Sequence, residues 1–175
     1  MPWKNGQGST TELAVEPTGA ALEAFDWRLS IAELRGSGPF STFPGYDRII
    51  VQLDGPPMTL THGSDAPVAL EQLVPHAFSG DADTTCAVDG VAHDFNLIVR
   101  RGVLRPMLTV HRLAEGEELA CEGGAVTVLH VLKGGLTGAA RVQLNAGDTR
   151  VEDVADRTSL RATRRAVVLL ATLTY

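Results

Sequence analysis

Four arginines lie where the sequence otherwise reads as buried β-strand: Arg28, Arg48, Arg100 and Arg101. A guanidinium group stays charged at any biological pH, and removing it from water without a partner is costly. Charged groups in such positions therefore need acidic neighbours or a bound anion. Because the planar fork of an arginine matches the two oxygens of a carboxylate, these residues predict a site for a small carboxylic acid.

The arginines belong to short runs in which polar and apolar side chains alternate. Alternate residues of a strand point to opposite faces, so Arg28 and Ser30 share one face of the first run, and Asn96 and Arg100 share one face of the third. Arg101 faces away from Arg100, so at most one of the two points inward. The pattern predicts a polar stripe lining a cavity; a strand with its polar side in water is the alternative. The predicted strands are 27–31, 48–53 and 95–100.

The predicted cavity brings hydrogen-bond donors together around one ligand. Arg28 and Arg48 supply forked donors, and each charge-assisted hydrogen bond contributes roughly 1.5–3 kcal/mol. For Arg48, an ion pair with Asp47 or Asp26 is the alternative. The predicted ligand-binding residues are Lys4, Asn5, Arg28, Ser30, Arg48, Asn96 and Arg100.

The histidines show no metal-binding pattern. The five histidines never lie closer than 14 positions apart, so none has the spacing of two or four at which neighbouring residues of a strand or helix ligate one ion. Ligands from distant strands are the alternative. We therefore expect no metal and no cofactor.

No catalytic constellation is visible either. His93 and Asp94 are adjacent, and adjacent strand residues point to opposite faces, so the two cannot form an acid–base dyad. Ser9, Ser30 and Ser41 lie in no nucleophile elbow. We therefore expect no catalytic residue.

The acidic composition argues against one class of partner. The chain of 175 residues carries a formal charge of -6, whereas nucleic-acid binding requires a basic surface. No apolar run approaches the ~20 residues of a membrane span, and the N-terminus lacks the pattern of a secretory signal. We expect a cytoplasmic protein without nucleic-acid or membrane partners. Cys86 and Cys121 lack metal-type spacing, and we expect buried thiols rather than a disulfide.

Glycine and proline divide the chain into short runs, which is typical of an all-β protein. Residues 48–55 resemble residues 126–134, and a Gly-Asp turn occurs at both 80–81 and 147–148. Chance recurrence of turn residues is the alternative to a duplication. A duplicated strand unit predicts two cupin-like jelly-roll β-barrels packed in one chain, a bicupin. The approximate halves are 1–103 and 104–175, and this division allows for strands exchanged between them.

Five motifs in the first hundred residues carry a family resemblance. They are PWKNGQGST at 2–10, FDWRLSIA at 25–32, GPFS at 38–41, FPGYDR at 43–48 and DFNLIVRRG at 94–102. Together they resemble the HutD/Ves proteins, bacterial members of the cupin superfamily built as single-chain bicupins. The chain departs from the family pattern at Gln7, where a third glycine is usual, and at Ser9, where threonine is usual.

The resemblance implies a cytoplasmic protein associated with histidine utilisation in the HutD branch and with stress response in the Ves branch. It also implies a regulatory ligand such as urocanate or a formylated glutamate derivative, which are carboxylates. We therefore expect a non-catalytic, metal-independent protein that binds a small carboxylic acid and modulates pathway flux or expression. Because two-fold dimers prevail among oligomers, a homodimer is a reasonable expectation.

Two other functions stay open. One is a cupin enzyme, an isomerase or hydrolase acting on a similar anion, either metal-independent or with atypical metal ligands. The other is a structural partner whose pockets are vestigial. Stoichiometric iron, zinc or manganese in the purified protein would favour the enzyme. Failure of every acid tested to raise the melting temperature would favour the structural partner.

Overall fold

The computed structural model describes residue 3 and residues 8–21, 24–121, 124–152 and 158–175. Two predicted ligand-binding residues, Lys4 and Asn5, and the departure at Gln7 lie outside the described residues. The described chain consists of β-strands and turns with one short 3₁₀ turn at Ala139–Arg141, so the predicted all-β class is confirmed. The chain divides into two compact units, Met1–Val103 (unit 1) and Leu104–Tyr175 (unit 2).

Unit 1 is built from two antiparallel sheets. The larger sheet has the strand order β1-β2-β9-β4-β7, and the smaller sheet has the order β3-β8-β5-β6. Its strands are β1 (Gly8–Glu16), β2 (Trp27–Leu34), β3 (Gly38–Pro39), β4 (Tyr46–Asp54), β5 (Thr59–His62), β6 (Val68–Ala69), β7 (His76–Ser79), β8 (Thr84–Ala87) and β9 (Ala92–Arg100). Of the three central strands, β4 and β9 are the richer in β-branched and aromatic residues, which favour a buried sheet.

Unit 2 contains two long strands that hold the other four together. β15 pairs with β10, β11 and β12, and β12 also pairs with β13 and β14. The strands are β10 (Arg105–Leu113), β11 (Glu118–Cys121), β12 (Val126–Gly138), β13 (Gln143–Asn145), β14 (Thr149–Glu152) and β15 (Thr158–Thr174).

The two units repeat one strand arrangement. In unit 2, β10, β15, β12 and β14 are ordered as β2, β9, β4 and β7 are ordered in unit 1. In unit 2, the early part of β15 pairs with β11, and the late part of β12 pairs with β13. In unit 1, β8 pairs with β3 and β5 pairs with β6 in the same way. The internal similarity of the sequence therefore has a counterpart in the topology.

A glycine that follows a β-bulge marks the same place in both units. Gly55 follows a bulge in β4 and has φ +90°, and Gly134 follows a bulge in β12 and has φ +89°. A Cβ on Gly55 would lie 2.5 Å from the carbonyl oxygen of Val91, and one on Gly134 would lie 2.4 Å from that of Arg165. Because Gly55 and Gly134 make the same contacts, they define which residues in the central strands of unit 1 are equivalent to which residues in those of unit 2.

The two Gly-Asp turns that the sequence repeats, at 80–81 and 147–148, do not occupy equivalent positions in the two units. The amide of Gly147 donates to the carbonyl of Val131, and the amide of Leu73 donates to the carbonyl of Gln52, the equivalent residue before the bulge. Both donors have positive φ, +93° for Gly147 and +63° for Leu73. The counterpart of Gly147 is therefore Leu73 and not Gly80. The sequence hides it because a leucine occupies a left-handed position that usually selects glycine.

The core of unit 1 lies between its two sheets. Ala32, Leu34 and Ile50 of the larger sheet pack against Leu60 of β5 in the smaller sheet and against Met58, which immediately precedes β5. Unit 2 has a corresponding apolar cluster of its own. The two cysteines are free and buried, as predicted.

The predicted pair of closed barrels is not confirmed. In the described residues of unit 1, the edge strands β1, β7, β3 and β6 are not joined into a continuous hydrogen-bonded ladder, and no closed barrel is found. Nor does the described part of the chain contain a helix with the length and hydropathy of a bilayer span.

We expect Gly55→Ala to lower the free energy of unfolding by about 3 kcal/mol, because the new methyl group collides with backbone and the residue must remain left-handed. Gly63→Ala is the matched control. Gly63 has φ +55°, and a Cβ there would have nothing within 4 Å, so this change should cost only about 1 kcal/mol. Urea denaturation measures both. Equal costs for the two variants would contradict the steric role assigned to Gly55.

Candidate functional site

Four of the predicted ligand-binding residues lie on one face of the larger sheet of unit 1. In the strand register, Arg28 of β2 and Arg48 of β4 are both paired with Ile98 of β9, one on each side. In the next row along the strands, Ser30 pairs with Asn96. All four polar residues are buried. Because neighbouring strands are about 4.8 Å apart, the two arginine Cα atoms are about 10 Å apart across the sheet.

Arg48 is held by neutral acceptors. Its Nη1 donates to the carbonyl of Ser41 at 3.1 Å, and its Nη2 donates to Oδ1 of Asn96 at 2.9 Å. Its Nε is buried and has no hydrogen-bond partner in the described part of the chain. Among the described residues, no carboxylate lies within ion-pair distance of this guanidinium group. Arg48 is therefore a buried cation that makes no direct ion pair within the described part of the chain.

Three phenyl rings surround the same guanidinium group. Its central carbon lies 4.8 Å from the ring centre of Phe78 and 5.4 Å from those of Phe40 and Phe43. The electron-rich faces of such rings attract a cation and restrict its orientation. Burial lowers the pKa of Arg48 to about 10, partly offset by the charge of Asp94. The group is therefore still charged at neutral pH.

Asp94 is the buried acid of this face, and it is not among the residues predicted from the sequence. The side-chain amide of Asn96 donates to Oδ1 of Asp94, while its oxygen accepts from Arg48, so Asn96 links the two charged residues. The other oxygen, Oδ2, is buried and has no hydrogen-bond partner among the residues that the structure describes. Burial raises the pKa of Asp94 to about 7, against the lowering effect of Arg48 and, to a smaller extent, His93. The sequence feature that indicates Asp94 as a site residue is its position two residues before Asn96, on the same face of the strand.

Arg28 already binds one carboxylate. Its Nε donates to Oε2 of Glu12 at 2.9 Å, and the side chain of Glu12 is 44% exposed. Among the described residues, no hydrogen bond is found to the two Nη groups of Arg28. The site therefore has a second guanidinium group with donors left over, and its acidic partner can be solvated by water if it is displaced.

Arg100 lies at the end of β9 and is not brought together with Arg48. Its side chain is 39% exposed and donates from Nε to the carbonyl of Phe25 and from Nη2 to the hydroxyl of Tyr46, each at 3.2 Å. It also lies 3.6 Å from Asp26. These contacts connect the end of β9 to the segment before β2.

The acids considered as partners of Arg48 pair with other arginines. Asp47 binds Arg101 at 2.7 Å, and Arg101 also binds Asp81 at 2.6 Å. Asp26 faces Arg100. The ion-pair alternative for Arg48 is therefore wrong for both acids, because Arg48 points to the buried face whereas Asp47, its neighbour in β4, points away from it.

A hydrogen-bonded histidine pair lies beside the phenyl rings. Nε2 of His62 lies 3.1 Å from Nε2 of His76, and Nδ1 of His62 lies 2.9 Å from the hydroxyl of Thr84. That hydroxyl donates to the carbonyl of Ala82, which assigns the Nδ1 proton to His62 and the shared proton to His76. Burial lowers the pKa of both imidazoles, and the charge of Arg48 lowers that of His62 further. Residue spacing carries no signal of the pair, since its members come from different sheets.

The described residues contain no group of three or more metal-ligating side chains. His93 lies on the face opposite Asp94, where its Nδ1 is 2.6 Å from Asp54 and its Nε2 is 3.7 Å from Glu33. The alternation that separates His93 from Asp94 is therefore confirmed.

The equivalent face of unit 2 lacks every charged group of this site. Gly55 lies against Ala92 and Gly134 lies against Ala166, so these two alanines are equivalent. The strand registers extend this alignment to the other residues of the central strands. At the positions of Arg28, Ser30, Arg48, Asp94 and Asn96, unit 2 has Met107, Thr109, Thr127, Val168 and Leu170, respectively. These five positions are thus charged or polar in unit 1 and uncharged in unit 2. On the neighbouring strand β14, unit 2 carries the ion pair Arg150–Glu152 at the positions of His76 and Phe78.

An all-β chain with this strand order belongs to the cupin-like class of folds. A cupin 2 conserved barrel domain protein from Leptotrichia buccalis superposes with a TM-score of 0.62 over 99% of the chain and 92% of that structure; at 10% identity this likeness concerns the fold alone. The HutD family model matches residues 1–170. The chain belongs to the HutD family.

Two curated relatives match the chain over part of its length. An uncharacterized 21.2 kDa protein in the hutC 3′ region of Pseudomonas putida is 46% identical over 99 residues, 56% of this chain and 52% of the relative. Protein Ves of Citrobacter koseri is 36% identical over 101 residues, 57% of this chain and 52% of the relative. The matched region spans about half the length of these curated relatives.

Two solved structures match the whole chain. A conserved protein of unknown function from Pseudomonas aeruginosa PAO1 has a TM-score of 0.89 and 36% identity, covering 100% of this chain and 93% of that one. HutD from Pseudomonas fluorescens SBW25, solved in a formate condition, has a TM-score of 0.79 and 30% identity, covering 100% and 94%. The predicted resemblance to the HutD/Ves proteins is confirmed.

The histidine pair predicts a pH dependence of stability. Both imidazoles have a lowered pKa in the folded state, so the unfolded chain binds more protons below about pH 6.5, and stability falls as the pH decreases through this range. We expect His62→Gln/His76→Gln to lose less stability than the wild type between pH 7.5 and pH 5.0, as measured by urea denaturation. An unchanged difference between the two pH values would contradict this assignment.

Proposed function

We propose that this protein is a non-catalytic, metal-independent binding protein for a small carboxylic acid. The observation that carries the proposal is the buried guanidinium group of Arg48, which has neutral hydrogen-bond acceptors, an unpartnered Nε and no carboxylate at ion-pair distance among the described residues. Burying a guanidinium group that makes no direct ion pair costs several kcal/mol, and the charge of Asp94, which is linked to it through Asn96, offsets this cost only in part. An anionic ligand offsets this cost, and Arg28, Ser30 and Asn96 are placed on the same face to bind it.

The comparison between the units supports a functional origin of the charged face. The fold at the positions of Arg48, Asp94 and Asn96 is compatible with Thr127, Val168 and Leu170, of which Val168 is fully buried. The fold therefore does not require charge there, and retaining it has an energetic cost. A binding function accounts for this cost in unit 1 and for one ligand site per chain.

The names of the relatives support a carboxylate from histidine breakdown. The Pseudomonas putida relative is described by its location in the hutC 3′ region, and the HutD structure from Pseudomonas fluorescens was solved in a condition named for a carboxylate, formate. We propose urocanate or a formylated glutamate derivative as the ligand, a role in histidine utilisation or in a stress response, and a cytoplasmic location. We also propose a bicupin, in which the two units are cupin-like halves, and a homodimer.

A second candidate function is an enzyme for a similar anion, and the histidine pair favours it. The ring of Phe78 lies 4.7 Å from that of His62 and 4.8 Å from the guanidinium group of Arg48, so an acid–base group is one side chain away from the anion site. His62 and His76 share one proton, which suits proton transfer. Incubation with the acids that bind, followed by NMR of the mixture, tests for this. Conversion of a bound acid would favour the enzyme over the binding protein.

We expect Arg28→Met to weaken binding of the acid by about 10- to 100-fold, because it removes charge-assisted hydrogen bonds while introducing the residue that unit 2 carries at the equivalent position. Arg35→Met is the matched control, since Arg35 is exposed and pairs with Glu33 at 2.7 Å outside the site. Thermal shift and NMR titration with formate, urocanate and N-formylglutamate provide the affinities.

The control variant should bind like the wild type. Equal losses in Arg28→Met and Arg35→Met would indicate nonspecific electrostatics. The absence of binding of all three acids to the wild type would overturn the proposed function and favour a structural role.

A further inference from the structure

We propose that Asp94 takes up a proton when an anion binds beside Arg48, so that the site binds its ligand and a proton together. This inference rests on the proposed function and adds a residue to the site. It also defines the ligand class more closely, as an anion bound with one net proton.

The geometry gives Asp94 a direct connection to the anion site. Asn96 donates to Oδ1 of Asp94 and accepts from Nη2 of Arg48, so the two charged groups share one amide. Asp94 is 1% exposed, and its Oδ2 has no hydrogen-bond partner in the described part of the chain. A carboxylate in such a place is only partly compensated, and Arg48 is its main source of stabilisation.

The proposal follows from the charges. With Asp94 ionised and Arg48 charged, the buried pair is neutral. A carboxylate ligand would leave this buried group with a net charge of -1, and the ligand and Asp94 would compete for the same guanidinium group. Protonation of Asp94 restores neutrality and leaves Arg48 to the ligand. Because the pKa of Asp94 is already raised to about 7, this proton is available near neutral pH.

The other groups around Asp94 do not supply this proton above pH 6.5. Cys86 of β8 has its pKa raised to about 12 by burial and by Asp94, so it remains a thiol. His62 of β5 and His76 of β7 have lowered pKa values, so they are neutral in this range. His93 faces the other side of the sheet, where it pairs with acids. From β2, the residue paired with Asp94 is Ala32, and from β4 it is Gln52, and neither titrates.

The equivalent position in unit 2 argues against a purely structural role for the carboxyl group. Val168 occupies this position and is fully buried, so an apolar residue packs there within the same strand arrangement. A carboxyl group kept at this place in unit 1 needs a reason other than packing. Asp94→Val therefore introduces the residue type that unit 2 carries at the equivalent position, Val168.

The test is the pH dependence of formate binding between pH 6.5 and pH 8.5, followed by NMR. Formate remains ionised throughout, because simple carboxylic acids titrate at about pH 4. We expect the wild-type dissociation constant to increase about 25-fold over this range, because the proton becomes harder to acquire. In Asp94→Asn and Asp94→Val it should change less than about twofold.

Asp54→Asn is the control, since Asp54 is exposed and binds His93 on the opposite side of the sheet; it should retain the wild-type profile. A pH-stat titration of the wild type provides a second measurement that needs no variant. By linkage, it should show uptake of about one proton per formate bound at pH 8.5.

The outcomes separate the two proposals. Formate binding with a flat pH profile and no proton uptake would overturn the role of Asp94 and leave the binding function intact. A steep profile that persists in both Asp94 variants would also overturn it. If formate does not bind the wild type at pH 6.5, both the binding of this ion and the proton coupling are wrong.

Discussion

The buried positive charge of Arg48 is the constraint on which the site of unit 1 depends. A guanidinium group cannot be neutralised at physiological pH, so the surrounding residues must stabilise it. The chain does so with three phenyl rings, a backbone carbonyl and the amide of Asn96. The nearest titrating acid, Asp94, is connected only through that amide. The arrangement stabilises the charge enough to fold and leaves Nε of Arg48 without a hydrogen-bond acceptor among the described residues.

The two units show how one strand arrangement can carry different chemistry. Both have a bulge followed by a left-handed glycine in the strand that holds Arg48 or Thr127, so the backbone registers correspond. In unit 1 the central strands carry Arg48 and Asp94 on this face, whereas in unit 2 Thr127 and Val168 occupy those positions and the charges of Arg150 and Glu152 lie on β14 instead. The fold determines where side chains meet, whereas the residue types at those places determine what they can bind.

Much of the fold and part of the site could be predicted from the sequence. Strand alternation placed Arg28 and Ser30 on one face of their strand and Asn96 on the polar face of its own, because the side-chain period of a strand is fixed by its backbone. The same rule places Asp94 on the face of Asn96, because the two residues are two positions apart in one strand. The partners of Arg48 could not be predicted, because Phe40 and Phe78 come from loops and strands whose approach depends on the packing of two sheets.

The all-β class, the family and the charged strand face were readable in the sequence, because turn residues, motifs and alternation are local properties of the chain. Which acid lies near which arginine became visible in three dimensions alone. The folded chain assigns Asp26 to Arg100, leaves Arg48 without an ion pair among the described residues, and brings His62 to His76 from another sheet. These pairings depend on strand order and register across the sheets, which are set by long-range packing and not by the spacing of residues along the chain.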